Sequence, residues 1–196
     1  QAPCPAPTRS GAIASWQWQY DVSLADQSHH LLRVRLAVAP TSADLRVQLP
    51  VWNATYQVRD FAEHVNWLRA ADADGKRVLV QKLDKTTWSV PNATTVEYEI
   101  AAIDAGPFGA ELTAGHAFLN LAQVLVYPVD VPRQLVRLKL SGMPQSWRVA
   151  TPLNLQNSEY CAANYDQLVD SPIEAGEFQQ PSYDQGGARY NIIVDA

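Results

Sequence analysis

The sequence is poor in the residues that several common classes of protein depend on. Only 2 of its 196 residues are cysteine, which excludes the disulfide framework that holds many small secreted domains together. Charged residues make up only 18% of the chain, and 15 Lys and Arg stand against 20 Asp and Glu. A basic patch of the kind that binds nucleic acid is absent, and no apolar run approaches the ~20 residues of a membrane helix. We therefore expect neither a nucleic-acid partner nor a membrane span.

The sequence also lacks the motifs of the common catalytic and metal sites. None of its four histidines belongs to an H-E-x-x-H pair, and there is no C-x-x-C, G-x-S-x-G or P-loop. His29 and His30 are adjacent at the edge of a predicted strand, so their side chains would point to opposite faces and could not share a metal. We predict no catalytic residue and no metal ligand in this chain.

What the sequence has in abundance is alternation of apolar and polar residues. A period of two predicts strands with one face on a core. Many short strands separated by Pro and Gly favour an antiparallel sandwich or open barrel. We predict a mainly β fold, an antiparallel β-sandwich, with Trp16, Trp18 and Trp67 in its core. The alternating sets lie in residues 16–22, 32–38, 45–49, 96–100, 136–140 and 190–194.

The stretches between these sets give weaker signals. Residues 72–76 predict a tight hairpin turn, and residues 164–170 would suit one helical turn. Residues 59–69 fit either a short helix or, as we prefer, an irregular turn that runs into a strand over 64–70. Residues 147–184 are rich in Asn, Gln, Ser, Pro and Tyr, which predicts a long irregular C-terminal segment. Such a segment usually packs on a neighbour or lines a site.

The start of the chain differs from the rest. Residues 1–12 form a Pro-rich lead, and residues 13–196 are predicted to form a single β-rich domain. The lead begins at Gln1 and resembles the residues that follow a cleaved export signal. We therefore expect an exported protein, periplasmic or secreted, without its signal peptide. Export would suit a disulfide between Cys4 and Cys161, although two unrelated thiols remain the alternative.

Four segments, in order, carry motifs of one known family. They are L-P-V-W followed by Y-Q-V-R-D-F-A in residues 49–62, Q-K-L-D-K-T-T-W in 81–88, P-Q-S-W-R-V-A-T in 144–151, and Y-D-Q-L-V-D-S-P-I-E-A-G in 165–176. Together they resemble the N-terminal domain of the glycyl aminopeptidases, zinc metallopeptidases with a thermolysin-like catalytic domain and a C-terminal PDZ domain. One departure is that Asn53-Ala54-Thr55 stands where that family has a longer turn with Gly.

This resemblance implies a saddle-like, non-catalytic domain that packs on the catalytic domain of its own protein and helps to shape the site for the amino end of a peptide substrate. Zinc would belong to that catalytic domain. An acidic side chain holds an ammonium group by a charge-assisted hydrogen bond, so the substrate-binding candidates are Asp170 and Glu174, with Tyr56, Arg59 and Asp60 from the first motif. In the alternative, Asp170 caps a turn, Glu174 faces solvent, and Arg59 and Asp60 form a structural turn network.

A second function remains open from composition. Six Trp and eight Tyr would suit a free-standing secreted β-sandwich that binds carbohydrate or peptide on exposed aromatic rings. Trp88 and Trp147 are the candidates for such a platform. Their positions near strand starts favour a place in the core instead.

Overall fold

Strands dominate the computed structural model of the chain, which describes residues 18–39, 45–52, 57–129, 131 and 135–195. Two short α-helices and two 3₁₀ turns, Gln27–His29 and Phe61–His64, interrupt the strands. None of the described helices is long and apolar enough to cross a membrane. The elements are β1 (Trp18–Asp26), β2 (Leu31–Val38), β3 (Leu45–Gln48), β4 (Val65–Ala71), β5 (Arg77–Val78), β6 (Gln81–Lys82), β7 (Thr87–Val90), β8 (Thr95–Ala101), β9 (Ala110–Leu112), β10 (His116–Leu119), α1 (Leu121–Val124), β11 (Tyr127–Pro128), β12 (Val136–Ser141), β13 (Arg148–Ala150), β14 (Asn154–Gln156), β15 (Glu159–Ala162), α2 (Tyr165–Val169), β16 (Ile173–Gly176), β17 (Phe178–Gln179), β18 (Ser182–Gln185), β19 (Ala188–Asn191) and β20 (Val194–Asp195).

The strands form one large sheet and several smaller ones. The large sheet has eight strands in the order β14-β15-β12-β1-β2-β8-β4-β5, and two four-stranded sheets have the orders β13-β16-β10-β9 and β11-β3-β7-β6. Neighbouring strands are antiparallel except β1 and β12, which run parallel. The predicted mainly β, antiparallel sandwich-like fold is confirmed.

One cluster of buried apolar side chains joins the large sheet to both four-stranded sheets. The first alternating set explains how the large sheet contributes to it. Trp18, Tyr20 and Val22 are at most 2% exposed, while the intervening positions of β1 are turned outward. The sets in β2, β3, β8 and β12 alternate in the same way, so the period of two identified their buried faces correctly.

The outer face of the eight-stranded sheet is charged, and its charges pair across strands. Arg35 and Arg69 lie on either side of Glu97, with shortest distances from guanidinium nitrogen to carboxylate oxygen of 3.8 and 2.7 Å. Trp67, expected in the core, instead lies half-buried on this face, and the Arg69 guanidinium stacks 4.8 Å from its ring centre. The register explains the difference, because Trp67 pairs with the outward residue Glu99.

The predicted turns are present. The side chain of Asp72 accepts hydrogen bonds from the backbone of Asp74 and Lys76 at 3.1 and 2.9 Å, and Gly75 takes the positive φ of 77° that closes the hairpin between β4 and β5. The irregular turn followed by a strand is also confirmed, since the 3₁₀ turn Phe61–His64 leads directly into β4. The predicted helical turn is α2, whose N-cap residue Asn164 accepts from the backbone of Gln167 at 2.9 Å.

The prediction of a long irregular segment over residues 147–184 was wrong. This stretch contains β13, β14, β15, α2, β16 and β17, and it ends within β18. These strands are two to four residues long, so each shows too few alternations for a period of two to be recognised. Two of them, β15 and β16, also pair with strands that come earlier in the chain, β12 and β10.

The last alternating set runs from the end of β19 to the start of β20, but its apolar face is not buried. Tyr190, Ile192 and Val194 are 47%, 47% and 45% exposed. The expectation that this face lies on a core was therefore wrong for the described residues, none of which covers it.

The predicted disulfide remains a prediction. Cys161 is buried in β15, and the described residues contain no free cysteine. Cys4 and the rest of the Pro-rich lead lie outside the described residues, as do Trp16 and the departing turn Asn53-Ala54-Thr55.

Candidate functional site

A cavity of about 500 Å³ is lined by residues of the first and the last of the four motifs. Pro50, Val51 and Trp52 of the first motif line it, together with residues of α2 and the turn after it. These segments are far apart in the sequence, so the fold brings the first and last motifs to the same place. A volume of this size is typical of pockets that take a small ligand or a group of side chains.

The rim of the cavity is apolar and exposed. Trp52 is 51% exposed, Phe108 42%, Val51 40% and Val129 38%, and all four line the same opening. Contiguous apolar surface is uncommon on a monomer and marks a place where another surface packs. We call these four side chains the apolar rim.

Three buried tyrosines fix the segment that forms the inner wall of the cavity. Tyr98 donates to the carbonyl of Val124 at 2.8 Å, Tyr165 to that of Leu125 at 2.5 Å, and Tyr20 to that of Val126 at 2.7 Å. Burial raises the pKa of all three hydroxyls well above the usual value, so they remain neutral donors. A buried carbonyl needs such a partner, and here the three bonds position β11, which lines the cavity.

Arg59 reaches this site through the rim, whereas Asp60 does not. The Arg59 guanidinium lies 5.0 Å from the ring centre of Phe108 and donates to the Gln57 side chain at 2.6 Å. Its backbone N–H donates to the carbonyl of Val51 at 2.8 Å. Asp60 instead forms an ion pair with Lys85, which raises the pKa of that lysine. These contacts fit the structural turn network considered for the pair.

The two acidic candidates are separated by the fold. Asp170 ends α2, is exposed, and lines the cavity with the apolar rim. Glu174 lies on β16, half-buried, and lines a second cavity with Phe118 and Val149. Tyr56 lies outside the described residues. Of the five predicted substrate-binding residues, the structure therefore places only Asp170 in the cavity wall and Arg59 against its rim, and the binding roles stay predictions.

Several residues of the site were missed by sequence reasoning. Phe108 and Val129 lie in Gly- and Pro-containing connections with no alternation. Tyr20 and Tyr98 were placed on core-facing sides of strands without their hydroxyls being considered. A buried tyrosine usually finds a hydrogen-bond partner, so the presence of Tyr20 and Tyr98 at inward positions was a signal that could have been used.

The aromatic platform has no support in the described structure. Trp88 is 5% and Trp147 9% exposed, so neither can present a ring to a sugar. The Lys82 ammonium lies 5.3 Å from the ring centre of Trp88.

The chemistry available at the cavity is binding. Its described wall contains aromatic, aliphatic and proline side chains with the carboxylates of Asp166 and Asp170. Among the residues that the structure describes, no group of three or more His, Cys, Asp or Glu side chains is placed to hold a metal ion. A zinc site does not fit these residues.

Comparison with known proteins identifies the class. Residues 19–177 match the family model described as the Peptidase M61 N-terminal domain, and the chain therefore belongs to this family. The match covers the N-terminal domain of such a peptidase. The free-standing binding module is not favoured.

One solved structure is similar over most of the chain. An aminopeptidase N family protein from Idiomarina loihiensis is similar at 25% identity with a TM-score of 0.83, over 92% of this chain and 32% of that protein. An M1 zinc metallopeptidase from Deinococcus radiodurans is a distant likeness at 13% identity and a TM-score of 0.44, over 89% of this chain and 45% of that one. The chain thus spans about a third of the Idiomarina protein. No curated protein sequence matches it significantly.

Proposed function

We propose that this domain is the non-catalytic front part of an exported zinc aminopeptidase, and that the apolar rim packs on the catalytic domain beside the amino end of the peptide substrate. Zinc and the catalytic residues belong to that other domain, and a PDZ domain follows it. The observation that supports this proposal is that the first and last family motifs, remote in sequence, line the same cavity, which has an apolar rim.

The charge at the cavity fits the amino end of a peptide. Asp170 is an exposed carboxylate beside apolar surface, and it would gain a charge-assisted hydrogen bond to an ammonium group. Once the catalytic domain covers the rim, water is excluded and this bond strengthens. The arrangement would favour substrates with a free amino end over blocked ones.

The test uses the full-length parent protein. Asp170→Asn keeps the shape of the side chain and removes its charge. We expect KM for glycyl and alanyl amides to rise about 10- to 100-fold, the equivalent of the ~1.5–3 kcal/mol that a hydrogen bond to a charged group contributes. N-acetylated peptides, if cleaved at all, should be unaffected. The matched control is Asp74→Asn in the exposed hairpin turn, which should leave KM unchanged.

Two results would contradict the proposal. If Asp170→Asn changes KM equally for free and blocked substrates, the carboxylate acts only through the structure of the turn. If the purified parent contains no stoichiometric zinc and hydrolyses no aminoacyl amide, the assignment to an aminopeptidase fails.

A further inference from the structure

The last four strands form one continuous ribbon rather than two separate hairpins. In β17 and β20, Phe178 pairs with Asp195 and Gln179 with Val194. In β18 and β19 the same register continues from the Ser182–Asn191 pair to the turn. Between them the backbone N–H of Ile192 donates to the carbonyl of Pro181 at 2.9 Å. The ribbon from residue 178 to 195 is therefore about 25 Å long, at ~3.4 Å per residue.

The two faces of this ribbon differ in chemistry. Paired residues share a face and alternate residues change face. One face carries Val194, Ile192 opposite Pro181, and the Tyr183–Tyr190 pair, whose rings stack at 5.0 Å with 12° between their planes. The opposite face carries Phe178 and Ile193 at its base and polar residues towards the tip. We call the first the apolar face.

The apolar face of the ribbon is not part of the core of the domain. Phe178 is buried and stacks with the Arg148 guanidinium, 4.6 Å from its ring centre. Ile193 and Asn191 line the second cavity of the domain. In contrast, Tyr183 is 49% exposed, with Tyr190, Ile192 and Val194 close to that value. The ribbon therefore rests on the domain at its base, through Phe178 and Ile193, while its apolar face stays exposed along its length.

A two-stranded ribbon is marginally stable in water by itself, and an exposed apolar sheet face marks a contact surface. The ribbon lies beyond the family match, which ends at residue 177. It carries one acidic and one basic residue between 182 and 191, paired across the strands as Asp184 and Arg189. Its near-neutral, aromatic surface fits an apolar protein partner and not a charged polymer.

We propose that the apolar face of the 178–195 ribbon docks on the polypeptide that follows it in the parent protein, as the first layer of the catalytic domain. This inference rests on the proposed function, because it takes that domain to follow. It is supported by the Idiomarina protein, of which this chain covers 32%. The ribbon thereby joins the two domains by packing, in addition to the chain connection.

The test places the photo-crosslinking residue p-benzoylphenylalanine at Tyr183 in the full-length parent, where one aromatic side chain replaces another. Illumination and mass spectrometry should give intramolecular cross-links to residues beyond Ala196, independent of protein concentration. The matched control carries the probe at Asn191 on the opposite face, and it should cross-link within the domain, near Val149 or Thr151. A second variant, Tyr183→Ser with Tyr190→Ser, should lose the exchange protection of the ribbon amides, whereas Asp184→Ser with Arg189→Ser should not.

Three outcomes at Tyr183 would overturn the inference. They are cross-links between two chains, cross-links back to residues 18–177, and absence of any cross-link. Zinc content and peptidase activity are measured on the same preparation. A parent that cross-links as expected but lacks both would refute the proposed function and leave the docking intact.

Discussion

The outer face of the eight-stranded sheet and the apolar rim are both exposed, yet they meet water in opposite ways. On the sheet, Arg35, Arg69 and Glu97 pair across neighbouring strands, so each charge has a partner within the surface and contact with water. At the rim, Trp52 and Phe108 expose half or nearly half of their area. The difference teaches that the first surface pairs its own polar groups, whereas the second leaves apolar area in water, as the proposed contact with a catalytic domain requires.

The largest effect is expected where the rim meets its partner. Trp52→Ser in the full-length parent should weaken the packing of the two domains by about 2 to 4 kcal/mol, as for a central aromatic residue of an interface. Unfolding in urea should then show two separate transitions, one for each domain. Leu79→Ser, at a residue that is 78% exposed, is the control and should leave a single transition. Equal effects of the two variants would remove the distinction between the rim and the remaining surface.

The next effect concerns the inner wall of the cavity. Tyr165→Phe removes the donor to the buried carbonyl of Leu125 and should lower the free energy of unfolding by about 1–3 kcal/mol. Tyr183→Phe, at an exposed ring, is the matched control and should cost less. Denaturant unfolding measures both. If both variants were equally stable, the hydroxyl would not position the wall.

On the charged face the expected effect is smaller. Glu97→Gln should lower the free energy of unfolding by about 1 kcal/mol or less, because exposed ion pairs contribute little to stability. The loss should shrink further in 1 M salt, where the screening length is about 3 Å. Thermal melting at low and high salt checks this. A loss as large as that of Tyr165→Phe would show that the charged face contributes more than its exposure suggests.

The smallest expected effect is a change in melting temperature that depends on pH. The backbone N–H of Thr86, 2.8 Å from the Asp84 carboxylate, is the main cause of the lowered pKa of Asp84. A carboxyl group whose pKa is lower in the folded state stabilises the fold at pH values above its unfolded pKa of about 3.9. This stabilisation is lost as the pH falls through the pKa of the folded state. At pH 7 the melting temperature of Asp84→Asn should therefore be slightly below that of the unchanged protein.

The difference in melting temperature between these two proteins should close in acid, below the lowered pKa. Asp74→Asn, on the exposed hairpin turn, is the control for a general effect of removing one carboxylate. A difference for Asp84→Asn that stays constant down to pH 2 would contradict the linkage.

The regular parts of the fold could be predicted because their signals are local. β1, β2, β8 and β12 are long enough to show alternation, and the Asp72–Lys76 turn carries its own hydrogen bonds. The strands of residues 147–184 could not, since each is only two to four residues long, and β15 and β16 also depend on the earlier strands β12 and β10. Trp67 shows a further limit, because an outward aromatic residue stacked by an arginine has the same local pattern as a buried one.

The candidate site was predictable in part. The motifs identified the segments that line it and Asp170, but the separation of Glu174 from Asp170 follows from a change of element within the last motif. Asp170 follows the last residue of α2, whereas Glu174 lies on β16 beyond the turn, so the two acids line different cavities. Phe108 is brought to the site by tertiary contacts with Arg59 and Asn120, which no local pattern contains.

The single parallel pair in the large sheet has a consequence for how the chain is made. β1 and β2 can form a hairpin as soon as both have left the ribosome, but β12 pairs with the other edge of β1 after most of the domain has been synthesised. At ~5–20 residues per second, the edge of β1 stays open for several seconds, and an unpaired edge is where chains aggregate. Closing this contact is a late folding step, because contacts between residues far apart in sequence carry the largest entropy cost of loop closure.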